Sequence, residues 1–164
     1  MLEHNPHEFY MAAAIKQAEK AAADDEVPVG AVIVHKGSII ARAHNQIERL
    51  KDPTAHAEMI AITQATNFLE NKWLSECSIY VTIEPCSMCA GALVLARIKE
   101  IVYGADDPKT GACGSVINIA NNPKLNHCID VSYGVLANDC GYLLSEFFKQ
   151  KRGRNAKCQI KNDK

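Results

Sequence analysis

Short β-branched segments alternate with alanine-rich segments along this chain of 164 residues, and this alternation limits the possible folds more than any other feature. Five segments have the composition of β-strands: residues 29–35, 38–44, 78–83, 100–103 and 129–133. Four have the composition of helices: residues 7–25, 55–69, 87–96 and 138–152. Strands that alternate with helices predict an α/β fold, with a sheet covered by helices on both faces. Lys36–Gly37 predicts a hairpin turn, which makes the sheet mixed.

Local signals add detail to this outline. Phe9, Ile15 and the alanines between them are expected to form the apolar stripe of the first helix. Gly104 is expected to end the fourth strand. Residues 45–52 are polar, and residues 106–115 are rich in Gly and Asp, so both segments are predicted to be loops.

Length and composition indicate one globular domain. We expect a single domain over residues 1–152 and a basic, frayed tail over residues 153–164. No apolar run approaches the roughly 20 residues that a membrane span needs. The first ten residues lack the basic start and apolar stretch of a secretory signal, so we expect a cytoplasmic protein without a membrane partner.

The chain has seven cysteines, an odd number that argues against a disulfide framework in a protein without a secretion signal. Most of them are predicted to be reduced and to serve as small core residues. They are Cys77, Cys86, Cys89, Cys113, Cys128, Cys140 and Cys158.

Charge is distributed unevenly. Residues 1–148 carry 11 Lys and Arg against 18 Asp and Glu, whereas residues 149–164 carry 7 against 1. A basic end on an acidic body could attract phosphates locally. A solvated helix end would have the same composition, so charge alone leaves both interpretations open.

Two short motifs carry candidate chemistry. His56–Ala57–Glu58 stands at the start of one predicted helix, and Pro85–Cys86–Ser87–Met88–Cys89 stands at the start of the next. Cys86 and Cys89 are three residues apart, on one side of a helical turn. A helix N-terminus favours the thiolate that a metal needs. With His56, the cysteines would supply three ligands and leave a fourth position open, the pattern of a catalytic zinc site.

Glu58 is the candidate proton carrier. Two residues apart in mid-helix, His56 and Glu58 would point in nearly opposite directions. At a helix start both can face one point, provided that His56 is not yet helical. A carboxylate next to a catalytic zinc site can take a proton from the attacking water and hand it to the substrate.

Two other interpretations of these motifs exist. His56 could be a core histidine, with Glu58 on a solvated face and both cysteines as buried thiols. Alternatively, Cys86 and Cys89 could form a dithiol switch, which would leave His56 and Glu58 without a role. The presence of both motifs, in this order around a strand, favours the metal site over either alternative.

The pattern H-x-E followed by P-C-x-x-C is the signature of zinc nucleobase deaminases. The chain resembles the bacterial tRNA-specific adenosine deaminases over nearly its whole length, most clearly in residues 26–32, 52–58, 80–92, 103–111, 126–127 and 143–148. The zinc motifs are shared with cytidine, cytosine and guanine deaminases. The 106–114 segment, Asn126–His127 and Phe147–Phe148 resemble the tRNA branch.

This resemblance implies a function and an assembly. The implied reaction is zinc-dependent hydrolysis of adenosine to inosine at the wobble position, 34, of a tRNA anticodon. The implied protein is a homodimer with one zinc ion per subunit. Each subunit is expected to be a three-layer α/β/α sandwich with a five-stranded mixed sheet, as in cytidine deaminases.

The same resemblance implies contacts with the anticodon stem-loop by Asn45, Asp107, Asn126, Phe148, Lys149 and Arg152. Asn45 would bind the flipped base or its ribose, Asn126 would hold the nucleotide, and Asp107 would lie near the flanking sugar–phosphate. The other three would meet the anticodon stem or neighbouring bases.

Simpler roles exist for these residues as well. Asn45 could cap a loop, and Asp107 and Asn126 could be turn residues. Phe147 and Phe148 point about 100° apart on a helix, so one is expected in the core and only the other is free to stack on RNA.

Two other functions share part of this evidence. A deaminase of a free base or nucleoside would have the same zinc site, but it would not need the 106–114 segment or the basic C-terminal helix. A non-catalytic RNA-binding subunit could keep zinc for structure, but it would not need Glu58.

Overall fold

The structure, a computed structural model, describes residues 5–162, and it describes side chains for residues 5–155. Cys158 and most of the basic tail therefore lie outside the described side chains. Ten elements follow one another: α1 Pro6–Ala23, β1 Gly30–His35, β2 Ser38–His44, α2 Ile47–Leu50, α3 Ala57–Leu69, β3 Cys77–Ile83, α4 Ser87–Leu95, β4 Glu100–Ala105, β5 Asp130–Tyr133 and α5 Ala137–Asn162.

The five strands form one mixed sheet in the order β2-β1-β3-β4-β5. β1 pairs antiparallel with both β2 and β3, whereas β3 with β4 and β4 with β5 are parallel. Lys36 and Gly37 both have positive φ, 48° and 80°, as a tight hairpin turn requires. The predicted mixed sheet and its hairpin are confirmed.

Helices cover both faces of the sheet, which gives the predicted three layers. Side chains alternate between the faces along β1. Ala31 and Ile33 belong to a core cluster with residues of α3 and α4, whereas Val32 and Val34 belong to a second cluster with residues of α1 and α5. Every described apolar strand residue of β1 therefore helps to fix a helix layer on one side or the other.

The connections at one edge of the sheet bring separate parts of the chain together. β3 and β4 are parallel, so both of their carboxyl ends lie at this edge. Because β1 runs antiparallel to β3 and to β2, the start of β1 and the end of β2 lie there too. At this edge, β2 leads into the loop before His56, β3 leads into Pro85–Cys86, and β4 leads into residues 106–115. Both motifs and both polar segments therefore lie close together.

Four local expectations are corrected by the structure. Residues 47–50 form the short helix α2 inside the segment expected to be a loop. Gly104 lies within β4, which continues to Ala105, because a glycine there lets Cys140 of α5 pack against the strand. Phe9 is 61% exposed, since α1 turns Met11, Ala14, Gln17, Ala18 and Ala21 toward the sheet. The last helix extends to Asn162, ten residues beyond its expected end at Arg152.

Among the residues that the structure describes, no helix combines the length and the apolar character needed to cross a membrane.

Candidate active site

A pocket of about 470 Å³ opens at the edge where β3 and β4 end. The surface that faces the pocket is largely apolar and is interrupted by polar groups, as is typical of a small-molecule or base-binding site. The lining residues are Val27, Val29, Asn45, Ile47, His56, Glu58, Ile83, Glu84, Cys86, Asp106, Asp107, Pro108, Lys109, Thr110, Leu144 and Phe148.

His56, Cys86 and Cys89 form the candidate metal group. His56 and Cys86 each occupy the N-cap position of a helix, with extended backbone (ψ 152° and 175°), and Cys89 lies one turn into α4. Both helices therefore start at the pocket and direct these side chains toward each other. The potential ligand atoms of the three residues all lie within 4.8 Å of one another.

The spacing of these atoms fits a tetrahedral zinc ion. His56 Nδ1 is 3.8 Å from Cys86 Sγ and 3.6 Å from Cys89 Sγ. Zinc bonds of about 2.3 Å to sulfur and about 2.0 Å to nitrogen would separate such atoms by about 3.5 Å in a tetrahedral site. The donor set, two thiolates and one imidazole, also favours zinc over harder cations.

Electrostatics in this group favour a thiolate. The Cys89 thiol and His56 donate hydrogen bonds toward Cys86, which lowers the pKa of Cys86 well below that of an ordinary thiol. The pKa of Cys89 is raised, first because its thiol proton is hydrogen-bonded to Cys86 and second because the thiol is buried. The hydrogen bond with Cys86 also raises the pKa of His56. The arrangement therefore favours the thiolate form of Cys86, which is the form that binds a metal.

Glu58 lies next to this group, on the first turn of α3. Its side chain is 2% exposed, and its Oε2 atom has no hydrogen-bond partner within the described part of the chain. Burial raises the pKa of Glu58 to about 7. A carboxyl group with such a pKa can both accept and release a proton at neutral pH. The expected geometry is confirmed, because the extended His56 lets both side chains line one pocket.

Asn45 lies at the pocket and caps the start of α3. The residue is 5% exposed and lines the pocket, and its Oδ1 accepts a hydrogen bond of 2.9 Å from the backbone N–H of Ala57. This bond satisfies a free N–H at the start of α3, where His56 makes no side-chain cap. The side-chain NH₂ of Asn45 is the group left to meet a ligand, and that contact stays a prediction.

Asp107 lines the pocket and also shapes its own loop. Its Oδ1 accepts hydrogen bonds from the backbone N–H groups of Lys109 (2.9 Å) and Thr110 (3.1 Å). Burial alone would raise the pKa of Asp107, but the hydrogen bonds from Thr110 and Lys109 outweigh it and hold the pKa below its usual value. Asp107 is therefore an ionised turn residue beside the pocket, and its contact with substrate is untested.

Of the two adjacent phenylalanines, the structure assigns one to the core. Phe147 is 4% exposed, whereas Phe148 is 41% exposed and lines the pocket together with Leu144. The expectation that only one ring is free to stack is confirmed, and the free ring is that of Phe148.

Three expected contact residues lie outside the pocket. Asn126 is exposed in the loop before β5, while its neighbour His127 has Nε2 2.6 Å from the carbonyl oxygen of Ile98. Lys149 Nζ lies 3.7 Å from Glu146 Oε1, and Arg152 is exposed on the same helix. Roles for these three residues in RNA binding remain predictions.

Sequence reasoning did not identify Glu84 as a functional residue. Glu84 follows the last residue of β3, is 2% exposed and lines the pocket. Its only signal in the sequence is a charged residue placed between a buried strand and Pro85. Burial alone would raise its pKa, but hydrogen bonds from Ser115, Asp107 and Cys113 hold the pKa below its usual value.

Fold and site define a class of protein, and comparisons with known proteins agree. The family model described as MafB19-like deaminase matches residues 5–152, and the chain belongs to this deaminase family. A tRNA-specific adenosine deaminase of Aquifex aeolicus (strain VF5) is 50% identical over 145 residues, which are 88% of this chain and 95% of the relative. Within the family, the chain therefore belongs to the tRNA-specific adenosine deaminases.

Solved structures show the same fold. One, from a study of A-to-I editing by tRNA:A34 deaminases at the wobble position of transfer RNA, superimposes with a TM-score of 0.80 and 41% identity. The match covers 83% of this chain and 99% of that chain. A guanine deaminase from Nitrosomonas europaea has a TM-score of 0.72 and 25% identity, over 85% of this chain and 83% of its own.

Proposed function

We propose that this protein hydrolyses the adenosine at position 34 of a tRNA anticodon to inosine. The observation that carries the proposal is that Glu58, a buried carboxylate with one oxygen unpaired among the described residues, lines the same pocket as His56 and Cys86 of the His-Cys-Cys group. The names of the similar proteins support the choice of a tRNA adenosine over other bases.

His56 Nδ1, Cys86 Sγ and Cys89 Sγ are the atoms that would hold zinc, with one ion per subunit. A zinc ion in such a site lowers the pKa of water toward neutrality and so supplies the nucleophile. Within the part of the chain that the structure describes, the group has three candidate ligands and not four, so they would leave one position for this chemistry.

Glu58 moves the protons in this reaction. It accepts a proton from the attacking water and delivers it to N1 of adenine, while the oxygen forms a bond to C6. It then takes the second proton from the new hydroxyl group on C6 and passes it to the exocyclic amine, so that the C6–N bond breaks, ammonia leaves and the C6 carbonyl forms. One water is consumed for each adenosine, and Glu58 ends in its starting state. Its pKa near 7 suits both transfers.

The remaining pocket residues hold the base. Adenine can reach the site only after it leaves the base stack, which costs less in an anticodon loop than in a duplex. We propose that the amide of Asn45 and the ring of Phe148 contact the extruded nucleotide and its neighbour. Asp107 and Lys109 line the pocket where the flanking sugar–phosphate would pass.

We further propose that the anticodon stem-loop also meets Asn126, Lys149 and Arg152, and that the working form is a cytoplasmic homodimer. Residues 1–152 would form the deaminase domain and residues 153–164 the basic tail, a division that the extent of the family match supports.

An inosine assay tests the function. The purified protein would be incubated with a tRNA bearing adenosine at position 34, with the same tRNA bearing guanosine there, and with free adenosine, guanine and cytidine. Inosine in the first tRNA alone, abolished by a zinc chelator, is the expected result. Turnover of guanine with the tRNA unchanged would instead show that the protein is a guanine deaminase, like its structural neighbour.

A further inference from the structure

Glu84 has no part in the proton transfers proposed above, although it is buried beside them. A glutamate with 2% exposure is unusual unless its carboxylate is fully hydrogen-bonded. Both of its oxygen atoms make such bonds, and every partner belongs to the segment 106–115, which we name the 106–115 loop.

The bonds join the two ends of this loop. Glu84 Oε2 accepts a hydrogen bond of 3.0 Å from the backbone N–H of Asp107, at the start of the loop. Glu84 Oε1 accepts bonds of 3.0 Å from the backbone N–H groups of Cys113 and Ser115, at its end. The Ser115 hydroxyl also donates to Oε2. These N–H groups lie outside the sheet, and one carboxylate serves as the acceptor for all of them.

Gly111 shows how closely the loop wraps around this carboxylate. A Cβ atom at position 111 would overlap the carboxylate of Glu84 and the carbonyl oxygen of Asp107. The N–H of Gly111 donates to that same carbonyl oxygen, at 3.0 Å. The N–H of Ala112 donates to the carbonyl oxygen of Pro85, at 2.9 Å, which fixes the loop to the start of the metal-binding helix.

The stretch between the two attachment points lines the pocket. Asp107, Pro108, Lys109 and Thr110 all contribute to the lining, and all are partly or fully exposed. Within the loop, the hydrogen bonds of the Asp107 side chain shape only residues 107–110. The position of the loop relative to the pocket therefore depends on the bonds to Glu84, together with the single backbone bond from Ala112 to Pro85.

We propose that Glu84 is a positioning residue for the substrate, which acts by holding the 106–115 loop in the shape that receives the RNA backbone next to the target adenosine. This inference rests on the proposed function for the identity of the substrate. The attachment of the loop to Glu84 does not depend on it.

The proposal requires a carboxylate and not merely a polar side chain. In Glu84→Gln one oxygen becomes an NH₂ group, which cannot accept from a backbone N–H. The Ser115 hydroxyl can rotate to accept, but the N–H of Asp107, or those of Cys113 and Ser115, would lose their acceptor. Glu26→Gln is a matched control, because Glu26 is also 2% exposed and accepts from Glu48 N (3.1 Å) and Arg49 N (2.8 Å) at another segment.

Amide hydrogen exchange on the zinc-loaded protein without RNA tests the attachment. In Glu84→Gln, exchange should accelerate about tenfold or more either at Asp107 or at Cys113 and Ser115, according to which oxygen is replaced, since each charge-assisted bond is worth roughly one such factor. Zinc content should stay at the wild-type value, and Glu26→Gln should leave exchange in this loop unchanged. Unchanged exchange in Glu84→Gln, or loss of zinc from it, would overturn the proposal.

Steady-state kinetics with an A34 stem-loop test the role in binding. KM should rise about tenfold in Glu84→Gln, while kcat stays within about threefold, because the loop meets the backbone and not the reacting atoms. Faster exchange with an unchanged KM would refute the role in substrate positioning. If the wild-type protein deaminates no tRNA, the proposed function fails, and the exchange data still decide whether Glu84 holds the loop.

A second variant covers the case in which Glu84→Gln does not fold. Ser115→Ala removes only the hydroxyl bond, which helps to hold the end of the loop, so exchange at Cys113 and at position 115 should accelerate about threefold. Exchange at the wild-type rate in that variant would also count against the proposal.

Discussion

Glu58→Gln tests the chemistry of the site with little change to its shape. Glutamine has nearly the same volume as glutamate, and the Oε2 atom that it replaces has no partner within the described residues. The substitution should therefore change the free energy of unfolding by less than about 1 kcal/mol. It leaves the three ligand atoms in place, so zinc content should equal that of the wild type.

The expected loss of activity follows from the number of proton transfers. A positioned acid or base contributes about 10²- to 10⁴-fold to each transfer that it assists. Glu58 is assigned to two transfers, but only the slower one limits the rate. We therefore expect kcat for inosine formation to fall by about 10²- to 10⁴-fold, which corresponds to about 3–5 kcal/mol in the activation free energy.

Single-turnover assays, with enzyme in excess over an A34 stem-loop, measure this effect without interference from product release. Glu19→Gln, on the exposed face of α1, is the matched control and should keep full activity. A Glu58→Gln protein that contains zinc and retains activity within about tenfold of the wild type would remove Glu58 from the mechanism.

Three further predictions concern the metal, the RNA and the fold. Cys89→Ser should weaken zinc affinity at least about 100-fold in a chelator competition, whereas the exposed Cys128→Ser should not, and equal affinities would exclude Cys89 as a ligand. Truncation after Phe148 removes seven basic residues, so a plot of the logarithm of the RNA-binding constant against the logarithm of salt concentration should become shallower by at least about one unit of slope. An identical slope would show that the tail is a solvated end without RNA contacts. Gly104→Ala should lower the free energy of unfolding, measured in urea, by about 1–3 kcal/mol, because the added methyl group would overlap Cys140. Adding Cys140→Ala to this variant should restore part of the loss. An unchanged stability of Gly104→Ala would contradict this packing.

Local chemistry made much of the fold predictable. The hairpin at Lys36–Gly37 and the helix starts after His56 and at Ser87 depend on residues that are neighbours in the chain. Their signals can be read directly because turns, caps and short strands are set by local backbone preferences. The end of β4 was predicted wrongly, because Gly104 serves a contact with a distant helix and not a local turn.

The sequence by itself determined which residues could bind a metal and carry protons, since residue type and spacing fix their chemistry. Only the tertiary structure decided which of them meet. His56 and Cys86 are 30 positions apart and reach 3.8 Å because two helices start at the same edge of the sheet. The choice of Phe148 over Phe147, and the bonds from Glu84 to residues 23 to 31 positions later, follow from packing between distant segments. Such contacts depend on which faces are buried together, and no local pattern records that.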